Sequence, residues 1–312
     1  MDNRNVTIPP TFRGEVMAIS AQAVADRIRQ KIGAGWKDSP VDVFLAGSPA
    51  TNVTGIVTTY APSMEVLRKA VAGRKNLIIG RESPFWARSA AQVRPGTGGF
   101  GADTQPAESG GAGVGPASMD DDPAYRAKRD YIAANNLVVY RFFDNWSARR
   151  PDPQLLGLAR ALGWENSYRP SGGQPWATDN GFFAIPPATL RETAQSVKKT
   201  LKVKSIRVGG DPDIRVSKAA VWPGMYWLTD MQKMLAEPGV DVLVVGEPQW
   251  ENELNLYNFD LHAAGVRKGL IILGQQVSEE PGSGEMATWL RSFVSEVPVE
   301  WIPAGEPSWM PY

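Results

Sequence analysis

The chain has 312 residues, 43% of them hydrophobic, and its 33 basic and 33 acidic side chains give a formal net charge of zero. This balance gives no electrostatic signature of nucleic-acid or membrane binding, and no apolar run reaches the roughly 18 residues of a membrane helix. The absence of cysteine excludes disulfides, thiolate metal sites and a cysteine nucleophile. A single histidine, His262, excludes any site that needs two imidazoles.

The first ten residues are polar and carry neither the basic nor the apolar region of a signal peptide. We therefore expect a cytoplasmic protein, or the mature form of an exported one. The lack of cysteine fits either compartment.

Short apolar runs alternate with amphipathic stretches along the chain, which predicts an α/β layered fold. The expected helices are 21–32, 63–72, 123–135, 153–162, 190–201, 230–236, 254–264 and 285–294. The expected strands are 41–46, 53–58, 76–80, 137–141, 181–185, 205–208, 218–222, 241–246, 269–274 and 299–302.

Residues 94–118 interrupt this alternation because they are rich in glycine and proline and poor in large apolar side chains. Such a composition favours a flexible insertion over a functional lid. The run G-T-G-G-F-G within it is not a nucleotide loop, since no strand directly precedes it and no lysine follows.

Polar groups follow four of the predicted strands, at the edge where α/β sheets bind ligands. They are Arg81 and Glu82, then Asp144, then Glu247, and finally the segment 275–279. The pattern alone leaves open whether these residues form a site or are ordinary solvated loop residues.

Six motifs between residues 41 and 303 occur in an order that resembles the Nif-three-like proteins, also named GTP cyclohydrolase I type 2 homologues. They are V-T-G-I-V at 53–57, L-I-I-G-R-E-S-P-F-W at 77–86, V-Y-R-F-F-D-N-W at 139–146, L-G-W at 162–164, D-V-L-V-V-G-E at 241–247 and L-I-I-L-G-Q-Q-V-S-E-E-P-G at 270–282.

This resemblance implies a layered fold in which mixed sheets are flanked by helices, as a single unit over residues 15–312. Two similar lobes, about 15–150 and 151–312, are expected, and interleaving at the C-terminus is left open. The resemblance also implies a toroidal homohexamer with dinuclear metal sites that face an internal cavity.

The histidines that such a metal centre would use are replaced in this sequence. Arg81 stands at the first histidine position, beside Glu82, and Gln275 stands at the histidine of the G-H-x-x-S-E pattern. The carboxylates Asp144 and Glu279 are retained, while other positions where histidine is common are occupied by Phe143, Asn145 and Ser147.

Two uses of the remaining groups are open. Glu82, Asp144, Gln275 and Glu279 offer oxygen ligands suited to one Mg²⁺, Mn²⁺ or Ca²⁺ ion, which would make a cyclohydrolase- or phosphoesterase-type hydrolase with Glu247 as a candidate base. Alternatively, the guanidinium of Arg81 pairs two carboxylates and replaces the ion.

We favour the second alternative, and therefore a non-catalytic ligand-binding or scaffolding ring protein without a cofactor. Its expected partners are its own copies and an unidentified small molecule. A third alternative is a purely structural ring subunit in which the segment 303–312 forms an intersubunit tail.

Two aromatic features remain. His262 lies in a helical stretch far in sequence from the carboxylates, which favours packing over catalysis. Trp86, Trp146 and Trp250 lie near strand ends, where they either pack and make subunit contacts or wall a pocket for a planar ligand. The sequence contains no G-x-S-x-G motif, so this signature of a serine hydrolase is absent.

Overall fold

The computed structural model describes residues 18–85, 122–170 and 181–311. The Gly/Pro-rich segment 94–118 and Trp86 lie outside the described residues, so the prediction of a flexible insertion is not addressed. Within the described ranges, every helix is too short or too polar to cross a membrane.

The elements alternate along the chain as the hydrophobic pattern predicts. The strands are β1 (Phe44–Ala46), β2 (Ile56–Thr59), β3 (Leu77–Gly80), β4 (Val138–Arg141), β5 (Tyr168–Pro170), β6 (Gly181–Thr189), β7 (Arg207–Gly209), β8 (Arg215–Tyr226), β9 (Val242–Pro248), β10 (Gly269–Ile272) and β11 (Val299–Trp301). The helices are α1 (Ala21–Ile32), α2 (Met64–Ala72), α3 (Pro123–Ala134), α4 (Asp144–Ser147), α5 (Pro153–Ala161), α6 (Leu190–Leu201), α7 (Leu228–Ala236), α8 (Glu251–Ala263) and α9 (Gln275–Arg291).

Local capping explains why some helix ends match the sequence so closely. The Ser20 hydroxyl accepts the Ala23 N–H at the start of α1, at 3.1 Å, which satisfies one of the free donors of the first turn. At the start of α6, Thr189 and Glu192 form a capping box. Both helices coincide with the predicted ranges 21–32 and 190–201.

The described strands form two mixed sheets. The first has the order β1-β4-β3-β2-β11, with only β1 antiparallel to its neighbour. The second has the order β5-β6-β8-β9-β10-β7, with β8, β9 and β10 parallel and the others antiparallel. This α/β arrangement of mixed sheets and flanking helices confirms the predicted fold class, and β11 returns the end of the chain to the first sheet.

Helix α9 contacts strands from both sheets and packs along α5. The prediction of a helix at 285–294 was wrong about its start, because α9 begins at Gln275 and includes Pro281. Proline removes a helical hydrogen bond and argues against a helix from sequence alone. Here packing overrides that preference: a Cβ on Gly157 of α5 would lie 2.7 Å from the Gly282 nitrogen, so the two helix backbones approach closely.

Candidate functional site

A cavity of about 650 Å³ opens where the carboxyl ends of β3, β8 and β9 meet α4, α5 and the first turns of α9. Its volume lies within the range of small-molecule sites. Its lining combines aromatic, acidic and amide side chains: Arg81, Phe143, Ser147, Asp152, Gln154, Pro223, Gly224, Met225, Tyr226, Trp227, Glu247, Pro248, Gln249, Trp250, Gln275 and Glu279.

One wall of the cavity depends on a bulge in β8. The register between β8 and β9 shifts between Trp222 and Met225, and Gly224 has a φ of 98°, which favours glycine. The Ser278 hydroxyl of α9 accepts the Gly224 N–H at 3.0 Å. A Cβ on Gly246 would lie 2.2 Å from the Gly224 oxygen, so glycine at both positions allows this close approach.

The floor of the cavity is the ion-pair cluster of Arg81, Glu82 and Glu279, of which Arg81 and Glu279 line the cavity. Arg81 follows β3 and is 4% exposed; its Nη1 forms an ion pair with Glu82. Its Nε lies 3.0 Å from Oε2 of Glu279, and its guanidinium carbon lies 4.0 Å from the centre of the Phe143 ring. The guanidinium also lies 5.7 Å from the centre of the Tyr60 ring, so the arginine contacts two carboxylates and two aromatic rings.

The charge states of the floor follow from burial and pairing. Burial by itself would lower the pKa of Arg81, but the attraction of Glu279 and Glu82 raises that pKa above its ordinary value. Burial raises the pKa of Glu279, while Arg81 and the Gln275 amide oppose the rise. Arg81 is therefore a permanent cation whose charge compensates its two carboxylate neighbours.

The structure does not bring Asp144 into this cluster. Asp144 begins α4, is exposed and does not line the cavity, and its Oδ2 accepts a hydrogen bond from the Ser39 hydroxyl. The backbone here is fixed by Asp42, whose carboxylate accepts the N–H groups of Phe143, Asp144 and Asn145 at 2.7 to 3.0 Å. Asp144 therefore lies at a helix start with its own local partner.

The rim of the cavity consists of Trp227, Glu247 and Trp250. The two tryptophans are 56% and 61% exposed, and the Glu247 side chain is exposed as well. Within the described part of the chain, no hydrogen bond or ion pair holds the Glu247 carboxylate. Sequence reasoning identified Glu247 and Trp250 but missed Trp227, for which the Pro223-Gly224 break inside an apolar strand is the available signal.

Each carboxylate that was predicted as a metal ligand has another partner in the structure. Among residues 18–85, 122–167 and 181–311, no group of three His, Asp or Glu side chains is arranged to hold a metal. Glu82 and Glu279 are both paired with Arg81, Asp144 has Ser39, and Gln275 contributes an amide beside Glu279. A second positive charge next to the buried guanidinium would be strongly repelled.

Two aromatic candidates take packing roles. Nε2 of His262 accepts the Lys268 N–H at 3.1 Å, at the end of α8 and away from the cavity lining. Trp146 is 1% exposed, and its ring centre lies 5.3 Å from that of Trp289 in the core. Of these two tryptophans, Trp250 lines the cavity and Trp146 does not, so the hypothesis of an aromatic pocket wall concerns Trp250 alone.

No protein-family model matches the chain, and a comparison with curated proteins finds no match. Solved structures do match. A Staphylococcus aureus hypothetical protein superposes with a TM-score of 0.66 at 15% identity, over 95% of this chain and 99% of that one. The protein ybgI, of unknown function, gives 0.63 at 18% identity, over 93% and 100%.

A Bacillus cereus protein related to NIF3 gives a TM-score of 0.64 at 14% identity, over 95% of this chain and 99% of that one. At such identities the likeness concerns the fold, and it extends over nearly the whole of both chains. The chain therefore has a NIF3-like fold, as the resemblance of its motifs predicts.

Proposed function

We propose that this chain is a NIF3-like ligand-binding protein without hydrolytic activity, in which Arg81 takes the place of a metal centre. The observation that carries the proposal is the buried ion-pair cluster of Arg81, Glu82 and Glu279 on the floor of a 650 Å³ cavity. A cavity of this size with aromatic and polar walls is suited to a small molecule.

Hydrolysis by a metal centre depends on an ion that generates hydroxide or polarises the substrate. A guanidinium supplies positive charge but no open coordination position for water, and here both of its carboxylate neighbours are already engaged. The carboxylates therefore serve to hold Arg81. This leaves the cavity with recognition groups rather than with a nucleophile.

The proposal includes assembly of several copies, as the resemblance implies. Leu256 and Phe259 of α8 are 64% and 72% exposed, and they lie three residues apart on one helix face. Apolar surface of this kind is typical of protein interfaces. Light scattering of the purified chain tests this part: a monomer at micromolar concentration contradicts it.

Metal content separates the proposal from the hydrolase alternative, in which Glu82, Asp144 and Glu279 hold one Mg²⁺, Mn²⁺ or Ca²⁺ ion and Glu247 is the base. Elemental analysis of untagged protein purified without chelator is expected to show no stoichiometric metal. Millimolar concentrations of the three ions are expected to leave the melting temperature unchanged, because an ion stabilises only a fold that binds it.

The variant Arg81→Met provides the matched comparison. Its two carboxylates lose their cation, so a divalent ion is expected to raise the melting temperature of this variant and not that of the wild type. Stoichiometric metal in the wild type, together with a metal-dependent melting shift that Glu279→Gln abolishes, would overturn the proposal in favour of the hydrolase.

A further inference from the structure

The cavity that carries the proposed function has an unusual charge balance. Among the described residues that line it, Arg81 is the one cation, and Asp152, Glu247 and Glu279 are carboxylates. The described lining thus has three carboxylates and one guanidinium, and with Glu279 protonated it still has two carboxylates for one guanidinium. In neither state does the described lining carry a net positive charge.

Glu247 adds negative charge at the rim. It lies near the end of β9, is exposed, and makes no hydrogen bond or ion pair with another described residue. Asp152 also lines the cavity, but its carboxylate accepts the Gln154 N–H at 2.9 Å and caps α5. Glu247 is therefore the carboxylate that a ligand reaches most directly.

Two exposed tryptophans line the same cavity as this carboxylate. Trp227 and Trp250 occupy the N-cap positions of α7 and α8, although neither side chain caps its helix. Trp250 has φ 66° and ψ 63°, a left-handed conformation that is unfavourable for a bulky side chain. Since Trp250 is 61% exposed, packing does not offset this cost, and strained residues of this kind cluster at ligand sites.

We propose that the cavity binds an organic cation with a flat apolar body, such as an aromatic quaternary ammonium compound. The positive group lies against Glu247 and over the faces of Trp227 and Trp250, which attract cations through their ring electrons. The same interaction already exists on the floor, where Arg81 lies over the Phe143 ring. This inference rests on the proposed function and adds the charge class of the ligand.

Three small probes of similar shape and different charge test the inference: benzyltrimethylammonium, benzyl alcohol and benzenesulfonate. Isothermal titration calorimetry of the wild-type chain is expected to show the tightest binding for the cation, by about tenfold over the neutral probe. Binding of the cation is expected to weaken as salt is raised, because Glu247 is solvent-exposed.

Two rim variants locate the binding. Glu247→Gln is expected to weaken binding of the cation by about three- to tenfold and to leave the neutral probe unaffected. Trp250→Asn is expected to weaken binding of both probes, with the larger loss, about tenfold, for the cation. The matched controls are Glu253→Gln on the exposed side of α8 and Trp309→Ala, which is 72% exposed and outside the cavity; both are expected to bind like the wild type.

The result separates this inference from the proposed function. Preference for benzenesulfonate or benzyl alcohol, or cation binding that Glu247→Gln and Trp250→Asn leave intact, overturns the inference while the metal-free binding protein stands. Failure of all three probes at about 10 mM also overturns it, since a cation–aromatic site of this kind binds in the millimolar range or better. The proposed function fails instead on stoichiometric metal in the wild type.

Discussion

The floor and the rim of the cavity both contain glutamates, but the surroundings of these glutamates differ. On the floor, Arg81 and Glu279 are 4% and 3% exposed and each has a charged partner. On the rim, Glu247 is exposed and without a described partner, and two tryptophans are more than half exposed. The charges on the floor of the cavity are thus buried and paired with one another, whereas the charge on its rim is exposed and unpaired among the described residues.

This difference separates what a charge does for the fold from what it does for a ligand. A buried charge must be paired, because leaving it without a partner costs several kcal/mol. An exposed charge costs the fold little, and its attraction remains available to a ligand. We therefore expect substitutions on the floor to reduce stability and substitutions on the rim to reduce binding without reducing stability.

The largest effect is expected for Arg81→Met, which leaves Glu82 and Glu279 without their cation. Breaking a buried ion pair in this way costs about 3–5 kcal/mol of unfolding free energy. Urea unfolding at neutral pH measures the loss. A loss below about 1 kcal/mol would show that the floor is not a buried charge cluster and would remove the contrast with the rim.

The pH dependence of the Arg81→Met variant has a defined sign. Burial already raises the pKa of Glu279, and Arg81 opposes this rise. Without Arg81 the pKa of folded Glu279 rises further above its unfolded value. A carboxyl group with a raised folded pKa stabilises the fold below its unfolded pKa and loses this contribution as pH increases. The variant is thus expected to regain stability between pH 7 and pH 5.

Two further variants control for other causes. The surface substitution Arg29→Met removes an arginine whose ion pair with Asp38 is largely exposed, and its pH profile is expected to follow the wild type. The double variant Arg81→Met, Glu279→Gln lacks the uncompensated carboxylate. It is expected to recover part of the lost stability at pH 7 and to show a weaker pH dependence.

On the rim, Trp250→Asn is expected to change stability in the opposite direction. Asparagine tolerates the left-handed backbone conformation of this position better than tryptophan does. Since little packing is lost, the free energy of unfolding is expected to increase by up to about 1 kcal/mol. The comparison Trp309→Asn, at an exposed position, is expected to change it by less than about 0.5 kcal/mol. A clear loss of stability in Trp250→Asn would mean that the rim also supports the fold.

The sequence predicts the elements well where local interactions determine them. Ser20 and the pair Thr189 and Glu192 cap their helices through contacts within one turn, so α1 and α6 begin where the pattern indicates. The start of α9 could not be predicted in this way, because Pro281 opposes a helix locally. The helix is maintained there by the packing of α9 against α5 and against strands of both sheets.

The candidate site shows the same division. Arg81, Glu82, Gln275 and Glu279 were found because strand ends and the resemblance both point to them. The separation of Asp144 from this cluster could not be read from the sequence, since it depends on Asp42 and Ser39, about a hundred residues earlier. Trp227 was missed because β8 continues past the bulge at Gly224 to Tyr226, whereas the sequence pattern ended this strand at residue 222.

The smallest effect is expected at the ion pair of Arg27 and Glu296, which has nearly ideal geometry but is only partly buried. Arg27 Nη2 and Nη1 lie 2.6 and 2.9 Å from the two carboxylate oxygens, and hydrogen bonding lowers the pKa of Glu296 from 4.5 to about 2. The contribution of this ion pair to stability is therefore present above pH 4.5 and lost as the pH falls toward 2.

The Arg27 side chain is 39% exposed, so solvent screening limits the loss of unfolding free energy in Arg27→Ala to about 0.5 kcal/mol at pH 7. Urea unfolding at pH 7 and pH 3 checks this value. A loss as large as that of Arg81→Met would show that hydrogen-bond geometry, and not burial, determines the cost of removing an arginine from this protein.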